Sequence, residues 1–226
     1  MKRIVIALLL VLIAGTAGAQ TIYDIQSGLV AENTVVQVAN VTVVGVRYNG
    51  IYVSEAPHGM YNGIWVYGGN AFAGGFVEGD VVNIIGEYYE YFDLSEIDIT
   101  AGEVIPVSTG GPVPAPSVVP ASELVDPVTA EPWESCQITI PDQGYVTVLP
   151  SSYGEWFVGY VAGEIMFDDY WYDDSTVALD DCYEAATGIL NFNFGDFKLE
   201  PFETGIDFCP VSTEESTFGG LKALYR

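Results

Sequence analysis

The chain has 226 residues, with 31 acidic against 6 basic side chains and a formal net charge of −25. That length allows one or two domains. Phosphate backbones are held chiefly by Lys and Arg with release of counterions, so this composition speaks against nucleic acid and suits solubility, a saline exterior or cation binding.

The chain opens with a basic "MKR", an apolar "IVIALLLVLIAG" and a small-residue "AGA" that puts Ala17 and Ala19 at cleavage positions. Residues 1–19 therefore read as a signal peptide. The competing reading, a membrane anchor, needs a longer apolar run, and no later stretch is apolar for long enough to span a bilayer. The protein is expected to be exported, to an extracellular, periplasmic or cell-surface place. Once Lys2 and Arg3 leave with the leader, the only basic residues are Arg47, Lys198, Lys222 and Arg226.

Residues 20–109 are rich in β-branched and aromatic residues bounded by Gly and Asn: "NTVVQVANVTVVGVRYNG", "GIYVSE", "NGIWVYGG" and "GDVVNIIGEYYEYFDLSEIDI". Residues 110–132 follow as a proline-rich linker, where proline this dense forbids sheet pairing and favours an extended connection. Within it "PASELV" predicts one helical turn with Ser122 as its cap. Strands resume over residues 133–210 with "CQITI", "GYVTVLP" and "EWFVGYVAGEIMF". They end in "GILNFNFGDFKLEP", a near-double of the earlier "GEYYEYFDLSEI". Two halves of about five short strands, each ending in the same long hairpin, point to an all-β fold of two tandem OB-like five-stranded barrels joined by the linker. Residues 211–226 form a C-terminal tail.

Three groups of residues carry candidate chemistry. In "IYVSE" and "GIWVYG" the aliphatic residues alternate with Tyr52, Trp65 and Tyr67, which then share the outer face of strands 2 and 3, where OB barrels bind. Without cations, such an aromatic platform suits a glycan or a protein ligand better than nucleic acid; alternatively the rings pack against the neighbouring domain or the linker. In "FDDYWYDDSTVALDD", six aspartates fall within fourteen residues. Asp168, Asp169, Asp173 and Asp174 are candidate calcium ligands, against the plainer reading of a solvated loop with Tyr170, Trp171 and Tyr172 packed partly inward. Calcium is the cofactor that such a set would take, the alternative being none. Of the three cysteines, Cys136 falls on a buried stripe as a free thiol. A two-residue turn at Gly195-Asp196 sets the second hairpin in a register that places Cys182 opposite Cys209, and an exported protein retains such a disulfide.

Only one histidine is present, His58, and no nucleophile elbow or P-loop occurs. The reading is an exported, non-catalytic binding or structural module. A hydrolase that uses carboxylates or a metal is the alternative from a different class.

The runs "TVVGVRYNGIYVSE", "GIWVYGG", "EGDVVNIIGEYYEYFDLSEIDI", "GGPVPAPSVVPASEL" and "EPWESCQITI" resemble the OB-like accessory regions of secreted bacterial nucleases. "GILNFNFGDFKLEP" is similar to the hairpin that closes the following barrel there. The resemblance spans roughly residues 33–208. It implies an OB-like fold without that family's catalytic domain, and adds the alternative of a nucleic-acid-binding accessory protein. The terminal "FGGLKALYR" resembles the "WG-x-x-KALYR" tails of unrelated exported bacterial proteins, with Phe218 in place of Trp. That likeness implies a sorting or attachment signal.

Overall fold

The structure is a computed structural model that describes residues 19–70, 72 and 74–210. The leader up to residue 18 and the tail from 211 lie outside the described residues. Twelve strands are described: β1 Thr34–Arg47, β2 Gly50–Ser54, β3 Gly63–Tyr67, β4 Val81–Tyr91, β5 Leu94–Ser108, β6 Ser117–Val118, β7 Gln137–Ile140, β8 Gly144–Val148, β9 Trp156–Tyr160, β10 Gly163–Phe167, β11 Cys182–Asn193 and β12 Asp196–Phe208. Three short helices accompany them: α1 Ile22–Gln26, α2 Ala121–Leu124 and α3 Pro127–Ala130. Among the described residues no helix is long and apolar enough to cross a membrane.

The first five strands close into a barrel in the order β1-β2-β3-β5-β4. Every pairing in it is antiparallel except β3 with β5. The second half repeats this order as β8-β9-β10-β12-β11, closed by β11 pairing with β8, and again the third and fifth strands are the parallel pair. This is the five-stranded OB-like arrangement twice over. The second barrel differs in its first strand, which is broken at Pro141 into β7 and β8, both lying along β11. Proline has no N–H to give the ladder.

The repeated hairpin is alike in detail. Both tight turns use two residues with positive φ, Phe92-Asp93 (52° and 67°) and Phe194-Gly195 (53° and 92°), the requirement of a type I′ hairpin. Each hairpin then shifts register beside a glycine, Gly86 in the first and Gly188 in the second. A Cβ on Gly86 would lie 2.6 Å from the Asp98 carbonyl oxygen, and one on Gly188 would lie 2.1 Å from that of Glu200. The two strands approach too closely there for any side chain.

The second turn sits one place earlier than Gly195-Asp196. The disulfide forms nonetheless, between Cys182 and Cys209. Register irregularities between Ala186 and Gly188 and between Tyr183 and Ala185 together offset the displaced turn, and the Cys209 amide donates to the Cys182 carbonyl at 2.9 Å. Cys136 is free and buried. The disulfide closes a separation of 27 residues, for which chain entropy gives about 3.5 kcal/mol. Reduction is therefore expected to lower the urea midpoint clearly, and the Cys182→Ser/Cys209→Ser variant to match the reduced protein. An unchanged midpoint would show that the ladder alone fixes this end.

Each core follows from period-two alternation. Val36, Val38, Ile51, Val53, Ile64, Val66, Val82 and Ile84 fill the first barrel, and Ile22 and Ile25 of α1 pack against them. That helix rests on a capping box between Thr21 and Asp24. The Ile22 amide donates to Glu55 at 2.7 Å, and Gln26 Nε2 to the Gly63 carbonyl at 2.7 Å.

The proline-rich stretch behaves similarly from Ser117 onward. Val119, Ala121, Leu124, Ala130 and Trp133 belong to the second core. Ser117 and Val118 pair in parallel with β7 despite the flanking prolines. The predicted turn at "PASELV" forms as α2, but Ser122 does not cap it: Pro120 holds the cap position without a side-chain bond. Asp142, from the break between β7 and β8, accepts from the Ala121 amide at 2.7 Å instead. Each barrel thus has a short helix ahead of its first strand, packed on its third: α1 on β3 and α2 on β10.

Candidate ligand-binding cleft

The outer face of β2 and β3 is aromatic, as their alternation requires. Tyr52 and Trp65 are directly paired across the strands, with ring centroids 4.6 Å apart. Neither ring lies open on the surface: Tyr52 is 1% and Trp65 5% exposed. Together with Val44 and Leu94 they meet Ile189 of the second barrel, and Tyr67, Trp171, Phe192 and Phe202 pack around this cluster. The expected platform is therefore the seam between the barrels, with Tyr67 half-buried at its edge.

Polar contacts lock the seam. Arg47, at the end of β1, meets Glu200 of β12 at 3.0 Å. Its guanidinium lies 3.6 Å over the Tyr170 ring and donates to the Tyr52 hydroxyl at 3.3 Å. Asn191 Nδ2 donates to the same Glu200 oxygen at 2.6 Å. The Trp171 indole donates to the Val46 carbonyl at 3.2 Å, and the Tyr48 amide to the Tyr170 hydroxyl at 3.0 Å. On the other flank, buried Glu134 accepts from the Ser95 amide at 3.0 Å. Burial pushes the Glu200 carboxyl upward, and Arg47 opposes that shift.

The acidic segment therefore serves the seam through its aromatic residues. Its aspartates go separate ways. Asp168 lies 3.6 Å from Lys198 Nζ, a buried ammonium that also pairs with Glu155. Asp173 caps the turn at Asp174–Thr176 by accepting from the Ser175 amide. Burial, then Asp168 and Asp174, raise the Asp169 carboxyl. Among the described residues no three acidic, His or Cys side chains converge as a metal site would need. His58 is exposed, 2.7 Å from Ser54 Oγ.

Beyond the seam the barrels diverge and leave a cleft of about 740 Å³, within the usual range for small-ligand sites. Tyr52, Trp65 and Tyr67 all line it, so the three platform residues do come together at one cavity. The tips of both repeated hairpins form its mouth: Tyr91, Phe92 and Asp93 from the first, Asn193, Phe194 and Gly195 from the second. Phe92 and Phe194 are 76% and 94% exposed. Asn49, Asn191 and Asn193 line the walls, and each keeps a buried side-chain oxygen without a hydrogen-bond partner among the described residues. Arg47, Glu96 and Asp93 supply the charge at the cleft.

Sequence reasoning missed Arg47, Glu200, Asn191 and Glu96. The first two are 153 positions apart in the chain. The usable signal was a contrast: Arg47 is the sole basic residue of the first half after the leader, and it falls at a strand end beside the aromatic face.

No protein-family model matches the chain, and no curated protein matches it. Solved structures of similar arrangement include a murine DNA-binding protein bound to double-stranded DNA, at 12% identity and a TM-score of 0.35, covering 78% of this chain and 97% of that one. The tetrameric p202 HIN2 structure is another, at 9% identity and a TM-score of 0.34, covering 79% of this chain and 94% of that one. Likeness at this level adds nothing about the site. The strand order, twice closed with a parallel pairing of third and fifth strands, is what makes this an all-β protein of two OB-like barrels.

Proposed function

We propose that the chain is an exported, non-catalytic binding module that holds a glycan in the cleft between its two hairpins. The observation that carries this reading is the lining: aromatic side chains beside the amide side chains of Asn49, Asn70 and Asn193. Sugar rings stack their C–H faces on aromatic side chains, and their hydroxyls exchange hydrogen bonds with amide side chains. The "MKR…AGA" leader supports export, and the single histidine with no nucleophile motif supports the absence of catalysis. The short segments shared with accessory regions of secreted nucleases support a place among accessory modules rather than enzymes.

Nucleic acid is the competing occupant. Here the cleft holds one cation, Arg47, and Glu200 and Tyr170 already engage it. A polyanion would meet a chain of net charge −25 with no counterion release to drive binding. On an array of glycans and single- and double-stranded oligonucleotides, the protein is expected to retain glycans. Tyr67→Ala should weaken that binding about tenfold, the worth of one stacking contact. Retention of oligonucleotides alone would overturn the reading in favour of a nucleic-acid accessory.

We also propose that the "FGGLKALYR" tail directs the exported protein to its resting place. Removing residues 212–226 should change where it accumulates and leave thermal unfolding unaltered; a clear fall in unfolding temperature would instead make the tail part of the fold.

A further inference from the structure

Glu96 stands out among the cleft residues. It lies in β5 directly beside Trp65 in the parallel register, is 6% exposed and lines the cleft. Among the described residues it makes no ion pair. The matching position of the second hairpin is Lys198, which is paired with Glu155 and Asp168. One of two equivalent buried positions is thus compensated within the protein, and the other is not. A buried carboxylate without a partner is costly; burial, and then Asp98, push this carboxyl up to about 7. Two further features of the cleft favour a cation. Asp93 adds a second carboxyl at its mouth, and Tyr67 and Tyr91 supply aromatic faces, which attract ammonium groups through their quadrupoles.

Resting on the glycan reading above, we propose that the sugar bound in the cleft carries a protonated amine, which Glu96 receives as its counter-ion. The ligand class is an amino-sugar oligosaccharide in its free-amine form.

Three β-1,4-linked tetrasaccharides with one backbone and different 2-substituents test this by calorimetric titration: hydroxyl (cello-), acetamido (N-acetylated chito-) and amino (deacetylated chito-). The amino form is expected to bind at least tenfold more tightly than the other two. Glu96→Gln should bring that ratio close to one, whereas Asp207→Asn, an exposed acid outside the cleft, should retain it. Equal binding of all three would overturn the amine assignment and leave the glycan reading standing. A preference that survives Glu96→Gln would reduce it to general attraction of a polycation to an acidic protein. No binding of any of the three, with other glycans retained on the array, would also overturn it; no glycan binding anywhere would remove both readings. The comparison of the three sugars on the unaltered protein does not depend on how the variant folds.

Discussion

Glu200→Ala is expected to destabilise the protein by about 3 kcal/mol, among the largest effects of any single side-chain change at the seam. Glu200 is fully buried and accepts from both Arg47 and Asn191. Its removal leaves a guanidinium that is only 20% exposed without a counter-ion, and an amide without its acceptor. The loss comes from that stranded charge rather than from the net worth of the pair, because desolvation cancels much of the attraction in a buried ion pair. Arg47→Leu with Glu200→Leu should therefore cost less than either single truncation. Urea unfolding of the four proteins in a double-mutant cycle measures this. A Glu200→Ala loss below about 1 kcal/mol would mean that the seam is wet and the two barrels are only loosely joined.

Stability is expected to fall as pH rises from 5 to 8, the reverse of ordinary acid denaturation. Glu96 is held at about 7 by burial and then Asp98. Burial, then Glu131, hold Glu134 well above the carboxylate range, and one of its oxygens is buried without a partner. Both groups keep a proton in the folded state that the unfolded chain releases near pH 4.3. Between the unfolded and folded pKa values the native state binds more protons than the unfolded state, so the slope of stability with pH is negative there. The advantage is present in full at the bottom of this window and is used up above about 7 for Glu96. Glu96 is worth on the order of 2 kcal/mol over this range, and Glu134 acts in the same direction. Urea midpoints at pH 5, 6, 7 and 8 should decline, and Glu96→Gln and Glu134→Gln should each flatten the decline; Gln at 134 keeps the acceptor that the Ser95 amide uses. Midpoints that rise over this range would show that both carboxylates ionise within the fold at no cost.

The features legible in the sequence are those that local chemistry encodes. Period-two alternation in "GIYVS" and "GIWVY" separated Ile51, Val53, Ile64 and Val66, which fill the barrel, from Tyr52, Trp65 and Tyr67, which face the other way. The repeated Gly and aromatic turn marked two hairpins of one kind. Alternation says which face a ring is on, but not what covers it, and Tyr52 and Trp65 are covered by Ile189 and Trp171 from a distant part of the chain. Turn position was misplaced by one residue because Phe194, a bulky side chain, takes the positive φ that composition assigns to Gly and Asn. Helix α1 escaped notice because five residues are too few to show a helical period. The prolines of residues 112–132 were read as breaking structure. Instead Val119, Leu124 and Trp133 between them reach into the second core.

In the proposed function the repeated hairpins act together, as the two sides of one ligand cleft. Hydrogen exchange with and without a glycan retained on the array tests it most directly, because backbone amides at the two tips report separately. Ligand is expected to slow exchange in 89–96 and 191–198 at once, with no change in the strand ends near Cys182 and Cys209. Protection confined to one hairpin, or found on the outer surface of either barrel and at neither tip, would contradict it.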